Sequence, residues 1–224
     1  MTVLSETHPP PLELPRAKGP SSKGAVTRHA ILRRAMDLAS SHGLEGLTIG
    51  SLAEDLGMSK SGLFAHFGSK EELQVATVEA ARQVFSDRVL KVGLKAPKGL
   101  GRLCAVCAAW LDYAEQEVFS GGCFFASAAL EFDSRPGPVR DLVAGAMKDW
   151  VDTLARLAAE AKELGHLSWE IDPDQLAFEF NALALGANGS YQLFGNKAVF
   201  GRARRAIRDR LQTYAKPGSK FVPL

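Results

Sequence analysis

The sequence predicts an all-α fold of nine helices, and three observations carry that prediction. Apolar residues recur at helical spacing from about residue 27 to residue 215, and Gly, Pro or Asp separates the runs. No segment shows the strict alternation of a half-buried strand. The chain has 224 residues, 46% of them hydrophobic and 23% charged, which is enough apolar material to bury a core.

The elements follow in order. Residues 1–24 hold Pro9, Pro10, Pro11, Pro15 and Pro20 and read as a flexible tail that cannot bury a core. A first helix runs from Thr27, read as its N-cap, to His42, and Gly43 ends it; Ile31, Leu32, Ala35, Leu38 and Ala39 form its apolar stripe. Thr48 caps a short helix with Ile49, Leu52, Ala53 and Leu56 on one face, and Gly57 stops it. A tight turn through Met58 leads to a second short helix from Ser59 to Phe67, closed by Gly68. Ser69 and Glu72 form a capping box that opens a long helix to about Val92. Beyond Pro97, helices are predicted at about 99–119, 121–132, 137–165, 173–194 and 197–215.

Two short helices joined by a glycine-containing turn make a helix-turn-helix, whose second helix can enter a DNA major groove. Leu52, Leu56, Met58, Leu63 and Phe67 are placed to face the first helix. Ser59, Lys60, Ser61, Phe64, Ala65 and His66 then point outward. A bulky apolar residue such as Phe64 among small polar ones marks a contact surface. The net charge is only +2, yet Leu14 to Met36 holds six basic residues and no acidic one. The positive end suits phosphate; the middle of the chain, where acids dominate, does not.

Other chemistries find little support. Neither H-E-x-x-H nor G-x-S-x-G occurs, and Gly19 to Gly24 lacks the G-K-[ST] ending of a P-loop, so no catalytic residue is assigned and an enzyme is not expected. Cys104 and Cys107 lack the further ligands of a zinc site. They read as two small apolar residues one helical turn apart, with redox sensing as the alternative. No metal or cofactor is expected. No stretch approaches the roughly 20 apolar residues of a membrane span, and the N-terminus does not resemble a secretory signal, so a cytoplasmic protein is expected.

Ala35, Gly43, Thr48, Leu52-Ala53, Gly57, Ser59, Leu63, His66-Phe67 and Ser69-Lys70-Glu71-Glu72-Leu73 together resemble the DNA-binding domain of TetR-like transcriptional regulators. Gly121-Gly122-Cys123, followed by Glu131 to Asp141, is similar to one branch of that family. The resemblance implies a helix-turn-helix domain over residues 25–72 and a ligand-binding and dimerisation domain over 73–215, with a tail at 216–224. It implies that Ser59 to Ala65, Lys60 among them, present the base-reading surface, with Ser61, Gly62, Phe64 and Ala65 nearest the bases, and that Arg28, Thr48, His66 and Lys70 hold phosphates. Phe64 stands where the family usually has tyrosine, so the phenolic hydroxyl and its phosphate bond are missing, while packing on a thymine methyl stays open to it.

The resemblance also implies a small-molecule effector in a cavity of the second domain; Trp110, Tyr113, Trp150, Phe178 and Asn181 are the candidates. It implies a homodimer through the last two helices, with stripes Leu176, Phe180, Leu183, Ala184 and Ala203, Ile207, Leu211, on a palindromic double-stranded operator. Residues Arg16, Lys18 and Lys23 could form a minor-groove arm. The competing reading is a helical module that binds protein instead of DNA.

Overall fold

The computed structural model describes residues 23–219, 221, 223 and 224. The proline-rich tail, with Arg16 and Lys18 of the suggested arm, lies outside the described residues except at its last two positions. Nine helices occur among the described residues: α1 Lys23–His42, α2 Ile49–Asp55, α3 Lys60–Phe67, α4, α5 Leu100–Glu115, α6 Phe124–Phe132, α7 Pro138–Glu163, α8 Pro173–Phe194 and α9 Ala198–Tyr214. Helix α4 is α-helical over Lys70–Phe85, makes a π-helical turn over Ser86–Leu90 and resumes over Lys91–Gly93. The β-structure among these residues is a single isolated bridge, Leu167 to Ala215.

Helix α1 begins at Lys23, so Thr27 lies inside it instead of capping it. A residue of the capping type caps only where the chain turns into the helix, and here it enters upstream. The π turn was also not anticipated, because it inserts one residue per turn without erasing the apolar stripe.

Helices α1–α3 close a small core in which Ile31, Ala35, Met36, Leu52, Leu63 and Phe67 are buried. The larger body buries Trp110, Tyr113, Phe119, Phe124, Phe125, Trp150, Phe180 and Phe200, and the two cores form one continuous cluster. Helix α4 joins them, packing on α1 and α3 at one end and on α7 along its length.

The stripes expected at a dimer interface are instead used inside the protomer. Leu176, Phe180 and Ala184 of α8 and Ala203, Ile207 and Leu211 of α9 are buried, and Arg210 on α9 grips Glu179 on α8 through two hydrogen bonds of 2.6 and 2.9 Å. Helix α8 has apolar residues on more than one face, and the chain's own core takes the continuous one. Phe178, Leu193 and Phe194 are left outward, with exposed Ala182, Gly186 and Gly189 between them. Residues after α9 fold back: Lys216 N–H and Ser219 Oγ both donate to the His166 carbonyl, at 3.1 and 2.8 Å.

Candidate nucleic-acid interface and ligand cavity

The N-caps of α2, α3 and α4 are each set by a short polar side chain. Thr48 accepts the Ser51 N–H at 3.0 Å, and the Thr48 N–H donates back to Ser51 Oγ at 3.2 Å. Serine thus completes a capping box where glutamate or glutamine is usual, which hid it in the sequence. Ser59 accepts the Gly62 N–H at 3.0 Å, and Ser69 accepts the Glu72 N–H at 3.0 Å. The second box is only half formed, because the Ser69 N–H donates to the Phe67 carbonyl at 2.7 Å. Gly57 and Gly68 take positive φ values of 63° and 70°, which turn the chain sharply on either side of α3. Arg34 fastens α1 to α2 with a two-pronged grip on Asp55, at 2.6 and 2.7 Å, and that grip holds the Asp55 carboxyl below its ordinary range.

These turns present one face of α3 to solvent. Ser59, Lys60, Ser61, Phe64 and Ala65 are exposed, and Gly62 and His66 are half-buried. Phe64 is 55% exposed although it has no polar atom. The side chain of Lys60 lies over the first turn of α2, beside Gly50 and near the Thr48 hydroxyl. The Arg28 guanidinium stacks 4.9 Å from the centre of the Phe67 ring, next to His66. Lys70 is already engaged: its ammonium donates to Glu45 Oε1 at 2.7 Å, a bond that holds the Glu45 carboxyl below the usual range. A phosphate reaching Lys70 therefore competes with Glu45.

The α1 end of the head is bolted to the body by groups with no assigned role in the sequence. Glu131 of α6 accepts the backbone N–H groups of Leu44 and Glu45, at 2.7 and 3.1 Å. Asp37 accepts the Ser120 N–H at 3.0 Å, and Ser40 Oγ accepts the Gly121 N–H at 3.0 Å. A Cβ on Gly121 would lie 1.9 Å from the Ser40 carbonyl oxygen, so only glycine allows this approach. The next link runs inward, where the Cys123 N–H donates to buried Asn188 on α8 at 2.9 Å. In the sequence Gly121-Gly122-Cys123 and Glu131 stand out only as a family fragment; their shared use lies in contacts more than 60 residues apart.

Behind this joint lies a cavity of about 210 Å³, lined chiefly by Phe85, Trp110, Cys123, Phe125, Met147 and Trp150, with Leu90 and Leu185 beside them. Edge-to-face stacking locks the rings: Phe85 on Trp150 at 5.1 Å and Trp110 on Trp150 at 5.0 Å. The π turn supplies Ser86 and Leu90 to the wall. At the exposed edge, Arg82 of α4 pairs with Asp149 of α7.

Of the residues expected at a ligand, Trp110 and Trp150 line this space. Tyr113 is buried and packs edge-on against Phe85, one layer behind the wall. Phe178 does not belong to it, being 65% exposed on the outer face of α8. Asn181 is also not among the lining residues, and its Oδ1 is buried without a partner among the described residues. Both lie on a helix whose inward face turned out to be the one bearing Leu176, Phe180 and Ala184. Cys104 and Cys107 are buried thiols, and burial pushes the Cys107 thiol far up, which fits packing and not redox sensing. Among the described residues no His, Cys, Asp or Glu cluster is placed to hold a metal, and no helix is long and apolar enough to cross a membrane.

Comparison with known proteins matches both halves. A model of bacterial regulatory proteins of the tetR family matches residues 31–77, and a model of the tetracycline-repressor-like C-terminal domain matches residues 99–207. The chain is 24% identical over 182 residues to the transcriptional regulator AcuR of Cereibacter sphaeroides, covering 79% of this chain and 82% of that protein. It is 43% identical over 55 residues to the class C tetracycline repressor protein of Escherichia coli, covering 25% of each. A TetR transcriptional regulator from Chloroflexus aurantiacus superposes with a TM-score of 0.80 at 24% identity, over 86% of this chain and 98% of its own.

Proposed function

Because the chain belongs to the TetR family and is a DNA-binding transcriptional regulator, we propose that it is a cytoplasmic, homodimeric repressor that a small molecule releases from a palindromic operator. One observation carries this reading: α4 belongs to both sites. Its N-terminus follows α3 directly and bears Lys70, while Arg82, Phe85, Ser86 and Leu90 of the same helix form cavity wall. The helix spans about 35 Å. A ligand that moves the wall therefore moves the recognition helix.

In this reading residues 25–72 form the DNA-binding domain and 73–215 the ligand-binding and dimerisation domain. Ser59, Ser61, Gly62, Phe64 and Ala65 face base edges, and Arg28, Thr48, Lys60, His66 and Lys70 face phosphates. The operator is held partly by shape, since small side chains give few two-pronged base contacts. The partner protomer covers the outer face of α8, where Phe178, Leu193 and Phe194 are left exposed. A two-fold axis through that face presents two α3 helices to successive major grooves. Ligand binding shifts the population toward a spacing that cannot span both half-sites, which requires different affinity for the two states.

The test is fluorescence anisotropy of the purified protein on the duplex upstream of its own gene across a salt series, with a scrambled duplex as control. Sequence-preferring binding that weakens steeply with salt is expected, because phosphate contacts release counterions. Absence of duplex binding at any salt would sink the reading and favour a protein-binding module.

A further inference from the structure

The chemistry of the cavity wall narrows the class of molecule it can take. Most of the wall is carbon, from Phe85, Leu90, Trp110, Phe125, Met147, Trp150 and Leu185, with Ser86 and Thr153 as its uncharged hydroxyl-bearing members. Its only formal charges, Arg82 and Asp149, neutralise each other at the edge, where their side chains are 58% and 61% exposed. Burial pushes the Cys123 thiol up, so that wall position stays uncharged. A carboxylate entering here meets Asp149 beside its own charge, and an ammonium meets Arg82. Either ion would also leave water for an apolar chamber without a dedicated partner.

Two indoles line the cavity, and their N–H groups differ. The Trp110 side chain lies within reach of the Cys123 thiol. The Trp150 Nε1–H is buried and finds no acceptor among the described residues, on a residue only 6% exposed. Phe85 and Trp110 hold its ring edge-on, so the indole cannot easily turn to find one. An unmatched buried donor is costly and native proteins rarely keep one unless something else supplies the acceptor. The volume sets the scale: about 210 Å³ exceeds the roughly 150 Å³ cavity known to hold benzene and falls short of the usual drug-sized pocket.

We propose that the cavity takes an uncharged, mainly apolar molecule slightly larger than benzene, whose single hydrogen-bond acceptor meets Trp150 Nε1. This rests on the cavity being the effector site proposed above. The matching chemistry is a small ketone, ester or ether on an aromatic or branched aliphatic body.

The test is calorimetric titration of the full-length protein with acetophenone, ethylbenzene, benzoate and benzylammonium, which share a ring and differ in charge and acceptor. Acetophenone should bind roughly tenfold more tightly than ethylbenzene, and both ions more weakly than either. In Trp150→Phe, which keeps a ring and removes the N–H, acetophenone should fall about tenfold to the level of ethylbenzene, whose affinity should hold. Preference for either ion, an acetophenone preference that survives Trp150→Phe, or no binding up to the solubility limit would each overturn the proposal. If Trp150→Phe weakens both neutral compounds alike, its wall has repacked, and the order in the unmodified protein decides. Operator release is read separately by anisotropy. Acetophenone that binds without releasing operator overturns the effector reading and leaves the ligand class standing; benzoate that binds best and releases operator does the reverse.

Discussion

The head and the body of this protein place function on opposite sides of their helices. In α1–α3 the buried residues only hold three helices at fixed angles, and the informative side chains, Lys60, Ser61 and Phe64, are exposed. In α5–α9 the side chains of the proposed ligand site, Trp110, Phe125 and Trp150, are buried, and the exposed apolar residues of α8 are the proposed dimer face. A surface site can change its side chains without disturbing the fold. An interior site cannot, because the groups that would touch a ligand also close the core. Variants in the head should therefore separate binding from stability, and variants in the body should mix them.

The sharpest break comes from the head's own core. Leu63 is fully buried, so Leu63→Ala should cost about 3 kcal/mol. Operator binding should disappear in anisotropy while calorimetry still finds the cavity occupied by acetophenone; loss of both would mean that head and body stand or fall together. Next is the bolt between them. Glu131→Ala removes the acceptor of two backbone N–H groups and should cost about 2 kcal/mol in urea unfolding. It should also weaken the ligand's effect on operator affinity without changing ligand affinity, a split that a purely structural role would not produce.

Phe64→Ala tests the surface side. Stability should stay within about 0.5 kcal/mol while operator affinity falls about tenfold. The salt slope should hold, since no phosphate contact is lost, whereas Lys60→Ala should lower it by about one. The smallest effect is acid loosening of the head. Arg34 lowers the pKa of Asp55, and Lys70 lowers that of Glu45. Groups with depressed folded values contribute stability above their unfolded pKa, about 4, and lose it as the pH falls through the folded value. Both pairs are partly exposed and screened, so each should account for less than about 1 kcal/mol. The body holds depressed carboxyls of its own, Asp87 and Glu179, so helical circular dichroism and tryptophan emission should both begin to change below about pH 4.

The sequence by itself determined the helix count, the glycine stops, the serine and threonine caps and the outward face of α3, because each depends on residues within one or two turns. It missed the start of α1, the π turn and the serine-completed box, where local rules admit more than one outcome. Tertiary packing decided which apolar face of α8 became core, and so whether Phe178 or Trp150 meets a cavity. It decided that Glu45 holds Lys70 and that Glu131 caps a turn 86 residues away. Periodicity records that a face is apolar, not what covers it; that is settled only when distant helices compete for the same surface.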